Sequence, residues 1–232
     1  MNKKILASLV LTTVLLFETS TASAQFANVD WSRDTSNTPR QDRDGSGRTP
    51  STSGATNSQS RFVFEISTNG GGLQRQEFQY ERREGLHRFR GDFRIRSSRP
   101  DFNRVSVAQT HDDQTGSEGV FSIYSVRKEG NRYYFGVQGD TTEANNGYST
   151  FDRVRIRLDR WYNLETRTES IDRNNTRELA ILRENGKEIW RERIVGGGEG
   201  EQYKKVGAYR LTGGSGRAIV EWDNMRFEKG RR

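Results

Sequence analysis

Apolar residues recur at every second position through much of the 232-residue chain, and this period constrains the fold more than any other feature. In the segment 89–96, Phe89, Phe93 and Ile95 alternate with charged residues. Successive side chains of a strand point to opposite faces, so this segment is predicted to bury one face and expose the other. Glycine and Asx-rich turns separate many such segments, and no segment has a sustained helical period. The chain is therefore predicted to be all-β, a two-sheet sandwich of the jelly-roll type.

Individual strands can be placed from the same alternation. Asn185-Gly186 predicts a tight hairpin, because both central residues of such a turn adopt positive φ. The odd-numbered residues from Val105 to His111 are expected to share one face of their strand. The predicted strands cover residues 61–66, 89–96, 105–111, 120–127, 133–138, 154–158, 161–169, 178–183, 188–194, 203–211 and 218–227.

The first 24 residues have the pattern of a bacterial export signal. Lys3 and Lys4 precede an apolar run over 5–17, and Ala22-Ser23-Ala24 supplies small residues before a cleavage point. The run is too short to span a bilayer, and no other stretch is apolar enough to do so. We therefore expect a protein without a membrane span that is secreted or periplasmic.

Residues 25–60 are rich in Ser, Thr, Asn, Asp, Gly and Arg, with almost no apolar residue after Trp31. This composition predicts a flexible, solvated linker between the export signal and a folded domain over 61–232. The alternative is that Phe26 and Trp31 dock onto the domain as an extra strand. The sequence leaves both possibilities open.

Composition limits the chemistry and the partners. The chain has no cysteine, which excludes disulfides, thiolate zinc sites and a cysteine nucleophile. Its formal charge of +7 favours an anionic partner, which could be nucleic acid, anionic lipid or an acidic polysaccharide. Export argues against nucleic acid, so an acidic polysaccharide is the expected partner.

A hairpin-like pair of segments resembles a known class of sandwich. Trp161-Tyr162-Asn163-Leu164-Glu165 and the later Leu182-Arg183-Glu184-Asn185-Gly186-Lys187 look like the "W-Y-x-L" and "x-N-G-K" hairpin of concanavalin-like lectins and glucanases. The resemblance implies a concanavalin-like jelly roll and raises carbohydrate as the ligand class. It implies nothing about catalysis.

Three further motifs resemble those of alginate lyases of polysaccharide lyase family seven. The segment 74–79, Gln-Arg-Gln-Glu-Phe-Gln, is similar to the family's "R-T/S-E-L-R". Gln109-Thr110-His111 resembles its "Q-I/V-H", and the segment 203–209, Tyr-Lys-Lys-Val-Gly-Ala-Tyr, resembles its "Y-F-K-A-G-x-Y". The motifs occur in the family's order and span most of the domain.

This resemblance implies a lyase that cuts a uronate polysaccharide, alginate first, by β-elimination. Carried over residue by residue, Arg75 and Gln109 bind the substrate carboxylate, and His111 assists or acts as the base. Tyr209 acts as the acid and could also act as the base. The residues agree with this independently, because Gln109 and His111 are two apart and project from one face of a strand. No cofactor and no metal are required, and a monomer is expected.

Further residues are expected to contact the substrate. Lys205 shares a face with Tyr209, and a nearby cation favours the tyrosinate form. Gln79 and Glu77 belong to the first motif, and Glu77 could instead pair with its neighbour Arg75. Arg90 and Arg94 belong to a stripe of arginines that could line a groove for a polyanion or simply form a solvated face.

Two departures from the family pattern leave the substrate and the activity open. Gln79 stands where the family motif ends in a second arginine, and Arg210-Leu211 replaces the usual Asn-Gln after the tyrosine. A glucuronan lyase and a non-catalytic carbohydrate-binding module of the same fold are the alternatives. The second histidine, His87, lies beside Arg88 and is expected to be exposed and incidental.

Overall fold

The computed structural model describes fifteen strands and, within the described part of the chain, no helix. The described residues are 26, 28–33, 40–44, 51–53, 61–68, 75–80, 83–97, 102–111, 120–139, 153–172, 175–196, 201–209 and 216–232. The strands are β1 Asp30–Arg33, β2 Arg40–Asp44, β3 Ser51–Ser53, β4 Arg61–Thr68, β5 Arg75–Gln79, β6 Leu86–Ile95, β7 Arg104–His111, β8 Val120–Glu129, β9 Arg132–Gly139, β10 Arg153–Ile156, β11 Tyr162–Asp172, β12 Asn175–Glu184, β13 Lys187–Gly196, β14 Tyr203–Tyr209 and β15 Gly216–Arg231.

The strands form two antiparallel sheets that pack face to face. Sheet I has the order β13-β12-β11-β6-β15-β4-β3, and β1 also pairs with β15. Sheet II has the order β10-β9-β8-β7-β14-β5-β2. The many neighbours that are distant in sequence, such as β5 beside β14, are typical of a jelly roll. The predicted all-β sandwich is therefore confirmed.

The core lies between the sheets and is rich in aromatic rings. Phe89, Phe93 and Trp222 of sheet I are fully buried, as are Tyr124 and Phe135 of sheet II. The rings of Phe93 and Phe135 meet across the sandwich with centroids 5.7 Å apart. Burying such rings provides the main apolar stabilisation of a thin sandwich.

The predicted strands after residue 61 are all present, with ends shifted by a few residues. Strand β6 shows the expected pattern, with every second residue buried over its whole length. Asn185 and Gly186 adopt φ values of 52° and 77°, which confirms the tight turn between β12 and β13.

One face assignment was wrong. Strand β7 has a register shift against β8 between Ser106 and Ala108, so the alternation changes phase there. Val105 lies in the core, whereas Gln109 bonds to residues on the outer face of sheet II. The odd-numbered residues from Val105 to His111 therefore do not share one face.

Three short strands from residues 25–60 pair with the sandwich: β1 with β15, β2 with β5 and β3 with β4. Phe26 is buried against Leu179 and Ile181 of β12, and β1 pairs with the end of β15. The Arg88 guanidinium lies 4.7 Å from the centre of the Trp31 ring. The docking alternative is thus the one that the structure shows for Phe26 and Trp31. The predicted export signal lies outside the described residues.

His87 is buried and not exposed as expected. Its side chain is only 1% exposed, and its ring stacks on Phe227 with centroids 5.5 Å apart. The position alternates inward with Phe89 along β6. Burial, aided by the nearby Lys204 ammonium, lowers the pKa of His87 to about 3, so the ring is neutral in the folded protein.

None of the described segments forms a helix long and apolar enough to cross a membrane.

Candidate active site

The three motifs come together on adjacent strands of sheet II. Strand β14 lies between β5 and β7, and its register aligns Tyr209 with Arg75 on one side and Lys205 with Gln109 on the other. Val206 and Ala208 of β14 are in the core, so the alternating residues, Lys205 and Tyr209, lie on the outer face. Segments more than one hundred residues apart in sequence are thereby brought onto one surface.

Gln109 and Glu77 join the two flanking strands across β14. The Gln109 side chain donates a hydrogen bond of 2.7 Å from Nε2 to Oε1 of Glu77. Strands β7 and β5 are two strand spacings, roughly 9.6 Å, apart. Gly207, which lies opposite Glu77 on β14, has no side chain in the space between them.

Gly207 is also needed for the close approach of β5. It has a φ of 152°, and a Cβ added there would lie 2.3 Å from the Gln76 carbonyl oxygen and 2.7 Å from the Glu77 Cα. Backbone atoms cannot move away as a flexible side chain could. A glycine is therefore required for the strands to meet at the site.

His111 is held between Gln109 and Tyr203. Its Nε2 lies 3.2 Å from Oε1 of Gln109, and its ring stacks on Tyr203 with centroids 4.8 Å apart and planes 13° from parallel. An ionised Glu77 can only accept, so the amide nitrogen of Gln109 must face Glu77 and its oxygen must face His111. His111 therefore donates from Nε2, and in the neutral ring Nδ1 is the basic nitrogen.

Arg75 and Tyr209 form the other end of the site. The Arg75 guanidinium carbon lies 5.6 Å from the centre of the Tyr209 ring. Such a cation attracts negative charge that forms on the phenol oxygen. Tyr209 is partly exposed and lies opposite Ser106 of β7, after the register shift that begins at Val206.

Of the residues expected to contact substrate, Lys205, Gln79 and Glu77 lie in this site. Lys205 is opposite Gln79 on β5 and opposite Gln109 on β7. Its ammonium lies 5.7 Å from the centre of the Tyr203 ring. Tyr203 was not predicted as a site residue, although it is the first residue of the third motif.

Two arginines of the same face, Arg104 and Arg127, were not predicted from the sequence. Arg104 donates from Nε to Ser125 Oγ at 3.1 Å and also bonds to Gln138 of β9. Arg127 is opposite Arg104 on β8. Counting every second residue back from Gln109 assigns Arg104 to the opposite face, and the irregularity between Ser106 and Ala108 is what brings it to this one. Only the strand register could reveal this.

Arg90 and Arg94 do not join the site. They lie on β6 of sheet I, and each forms an ion pair with β15: Arg90 with Glu228 at 2.8 Å and Arg94 with Glu221 at 2.6 Å. The stripe is thus a ladder of cross-strand ion pairs on the outer face of the other sheet, as expected for a solvated face. Within the described residues, no group of three His, Asp or Glu side chains is placed to hold a metal ion.

Comparisons with known proteins place this geometry in a structural context. No family model matches the chain, and no curated protein matches its sequence. Among solved structures, the alginate lyase from Alteromonas sp. 272 is 16% identical, with a TM-score of 0.52 over 82% of this chain and 95% of that one. A family 7 alginate lyase in complex with substrate is 14% identical, with a TM-score of 0.53 over 77% of this chain and 81% of that one.

A third similar structure is the alginate lyase from Pseudomonas aeruginosa, which is 13% identical, with a TM-score of 0.51 over 75% of this chain and 84% of that one. At these identities the likeness concerns the backbone. The chain has the two-sheet β-sandwich fold of the alginate lyases.

Proposed function

We propose that this protein is an exported polysaccharide lyase that cleaves an acidic uronate polymer, alginate first, by β-elimination. One observation carries the proposal: Arg75, Gln109, His111, Lys205 and Tyr209 come from three separate segments and meet on one face of β5, β14 and β7. The fold shared with alginate lyases supports the same reaction class.

The first step requires neutralisation of the C6 carboxylate. The C5 proton of a uronate is weakly acidic, and it becomes removable when cationic and hydrogen-bonding groups stabilise the enolate-like intermediate. Arg75 and Lys205 provide positive charge at the two ends of the site. The Gln109 amide keeps one further N–H besides the one bonded to Glu77, and that N–H binds the carboxylate.

The second step moves two protons. His111, or the Tyr209 phenolate, takes the proton from C5, and the electron pair forms a double bond between C4 and C5. The C4–O4 bond breaks, and Tyr209 protonates the departing oxygen. The stacking of His111 on Tyr203 restricts the ring, so its basic nitrogen keeps a fixed direction.

The charge distribution supports a polyanionic substrate on this side of the molecule. Arg104 and Arg127 lie on the site face of sheet II together with Arg75 and Lys205, whereas the arginine stripe lies on sheet I. Several cations on one face attract a chain of carboxylates. The expected export signal is consistent with a polymer that is met outside the cytoplasm.

The proposal is tested by offering purified protein alginate, glucuronan and other polyuronates. Each elimination leaves a 4,5-unsaturated end that absorbs ultraviolet light, so product is measured directly. A Tyr209→Phe protein purified in parallel controls for a contaminating lyase. If no polymer yields this absorbance, the enzyme proposal fails. Absorbance with glucuronan alone would change the substrate and retain the reaction.

A non-catalytic carbohydrate-binding module is the second candidate. Two observations favour it. Glu77 already accepts one amide N–H of Gln109, and Gln79, which lies opposite Lys205, stands where the family motif has an arginine. Alginate binding measured by calorimetry, with no absorbance in the screen, would support the module.

A further inference from the structure

Strand β14 contains two adjacent lysines with opposite environments. Lys204 is completely buried between the sheets, whereas Lys205 lies on the outer face with the candidate site. The two side chains have the same chemistry, so the lysines themselves do not specify which one turns inward. A one-residue slip would exchange them and would turn Tyr203 away from His111.

The apolar residues of β14 favour the same orientation. Val206 and Ala208 face inward, and the pairing with β5 is continuous from Lys205 to Tyr209, so the alternation of β14 is unbroken. A one-residue slip would expose these two small side chains, and it would also remove Lys204 from the interior. A buried partner that requires the Lys204 ammonium therefore adds a second, electrostatic preference for the observed register.

Glu178 provides that signal from the opposite sheet. It lies on β12, is fully buried, and its Oε2 is 3.0 Å from the Lys204 Nζ. Four hydroxyl groups also donate to its carboxylate, and the Lys204 ammonium donates a further bond to the Thr110 hydroxyl. These donors are Thr110 at 2.7 Å, Ser122 at 2.6 Å, Thr168 at 2.6 Å and Tyr124.

The cluster links the strands that carry the site. Thr110 lies between Gln109 and His111 on β7, and Lys204 lies between Tyr203 and Lys205 on β14. Each inward bond to Glu178 therefore fixes the outward direction of the neighbouring site residues. Glu178 thus holds both strands that carry the stacked rings of Tyr203 and His111, and it does so from the interior of the sandwich.

Stability alone is a poor explanation for this cluster. Removing two charges from water costs several kcal/mol each, and an apolar replacement of a buried ion pair is often neutral or stabilising. Burial would raise the pKa of Glu178, but the Lys204 ammonium and the hydroxyl donors outweigh it and lower that pKa to about 2. Buried pairs of this kind are best known for selecting one register among alternatives.

We infer that Glu178 is a positioning residue that selects Lys204, and not Lys205, for the interior and so fixes the register of β14 at the site. The catalytic part of this inference rests on the proposed function. The register part does not, because it concerns only which lysine faces inward.

The test compares the parent with Glu178→Gln and with the double variant Glu178→Gln/Lys204→Met. Glutamine keeps the shape and an acceptor for the hydroxyl groups but removes the charge that selects Lys204. In the double variant, position 204 is apolar and position 205 is still a lysine. The methionine is therefore expected to face inward. Glu165→Gln is the matched control, since Glu165 is also buried and paired, with Arg167 and Arg183 on the outer face.

Two readouts are taken at a temperature at which all variants are folded by circular dichroism. Hydrogen exchange of the amides of 203–209 should speed up about tenfold or more in Glu178→Gln and return close to the parental rate in the double variant. The kcat should fall at least tenfold in Glu178→Gln and return close to the parental value in the double variant, with KM changed less than kcat. Glu165→Gln should change neither readout.

Parental exchange and parental turnover in folded Glu178→Gln would overturn the inference. So would a folded double variant in which exchange over 203–209 stays fast, because the register would then depend on something other than this pair. If the parent cleaves no polyuronate, the proposed function fails, and the exchange measurements still decide the register. If Glu178→Gln does not fold, the double variant decides: normal exchange supports the inference, and fast exchange overturns it.

Discussion

The Glu77 carboxylate fixes the orientation of the Gln109 amide across strand β14, and through it the tautomer of a neutral His111 ring. The bond from Gln109 Nε2 to Glu77 measures 2.7 Å, and the Gln109 oxygen faces His111 Nε2 at 3.2 Å. Because a carboxylate only accepts, the chain of bonds has one direction. Glu77 is thus a positioning residue for two groups that the proposed reaction uses.

Replacing Glu77 with glutamine should disturb this order. The glutamine can present either an oxygen or an amide nitrogen, so the Gln109 amide can rotate and His111 can lose its fixed tautomer. We expect kcat to fall by about tenfold to a hundredfold, a loss within the range of general acid–base catalysis. Glu84→Gln, at an exposed residue, is the control. Unchanged kcat and pH profile in Glu77→Gln would contradict the assignment.

Loss of the proton-transfer groups should affect turnover and spare folding. His111→Ala and Tyr209→Phe are each expected to reduce kcat by about a hundredfold to ten-thousandfold. Tyr133→Phe is the matched control, because it also removes a phenol oxygen, from a half-buried ring that packs on Phe102. Steady-state kinetics on the best polyuronate provide the measurement. Near-parental kcat in both site variants would refute the proposed roles.

The salt dependence of substrate capture should follow the site face of sheet II. Apparent KM is expected to rise with sodium chloride, since ions screen exposed charges beyond about 8 Å at physiological strength. Replacing Arg104 and Arg127 with glutamine should flatten this dependence. The matched pair Arg90→Gln and Arg94→Gln should leave it unchanged, because carboxylates of β15 already pair with both residues. Equal effects of the two double variants would contradict this charge assignment.

Acid should destabilise the protein in part through His87. The pKa of His87 is lowered from 6.5 to about 3 in the folded state by burial, then by Lys204, while Glu178 acts in the opposite direction. Only the unfolded chain binds a proton between these values, so this contribution is complete above pH 6.5 and is lost as pH falls toward 3. The slope approaches about 1.4 kcal/mol per pH unit.

His87→Phe keeps a ring against Phe227 and removes the titrating group. Urea unfolding of the parent and the variant at several pH values measures the difference between them. The free energy of unfolding of the variant should fall less steeply between pH 6 and pH 4, values that lie within the window of about 3 to 6.5. Parallel curves over this window would show that His87 does not titrate on unfolding.

Gly207→Ala should destabilise the protein far more than a glycine replacement in open space. The added Cβ would meet backbone atoms of Gln76 and Glu77 at 2.3 and 2.7 Å. We expect a loss of about 3 kcal/mol or more in the free energy of unfolding. Gly130→Ala, where no atom lies within 4 Å and only the positive φ is strained, should cost about 1 kcal/mol. Similar losses in both would argue against the close strand contact.

Patterns along the chain were sufficient to predict the fold class, and the three motifs predicted most residues of the candidate site. Period-two alternation is a local property of a strand, so β6 and the turn at Asn185-Gly186 could be placed from neighbouring residues alone. The spacing of Gln109 and His111 likewise placed both on one face, because no irregularity separates these two residues.

The contacts between separate segments and the ion pairs of the arginine stripe depend on sheet order, and neighbouring residues alone could not predict them. Sheet order places β14 between β5 and β7, and no local pattern encodes a neighbour more than one hundred residues away. The irregularity in β7 reverses the alternation and brings Arg104 to the site face. Arg94 and its partner Glu221 both lie on sheet I, away from the site. Lys204 and Lys205 have the same chemistry, and the pairing of the buried Lys204 with Glu178 joins two sheets, so no local pattern could predict it.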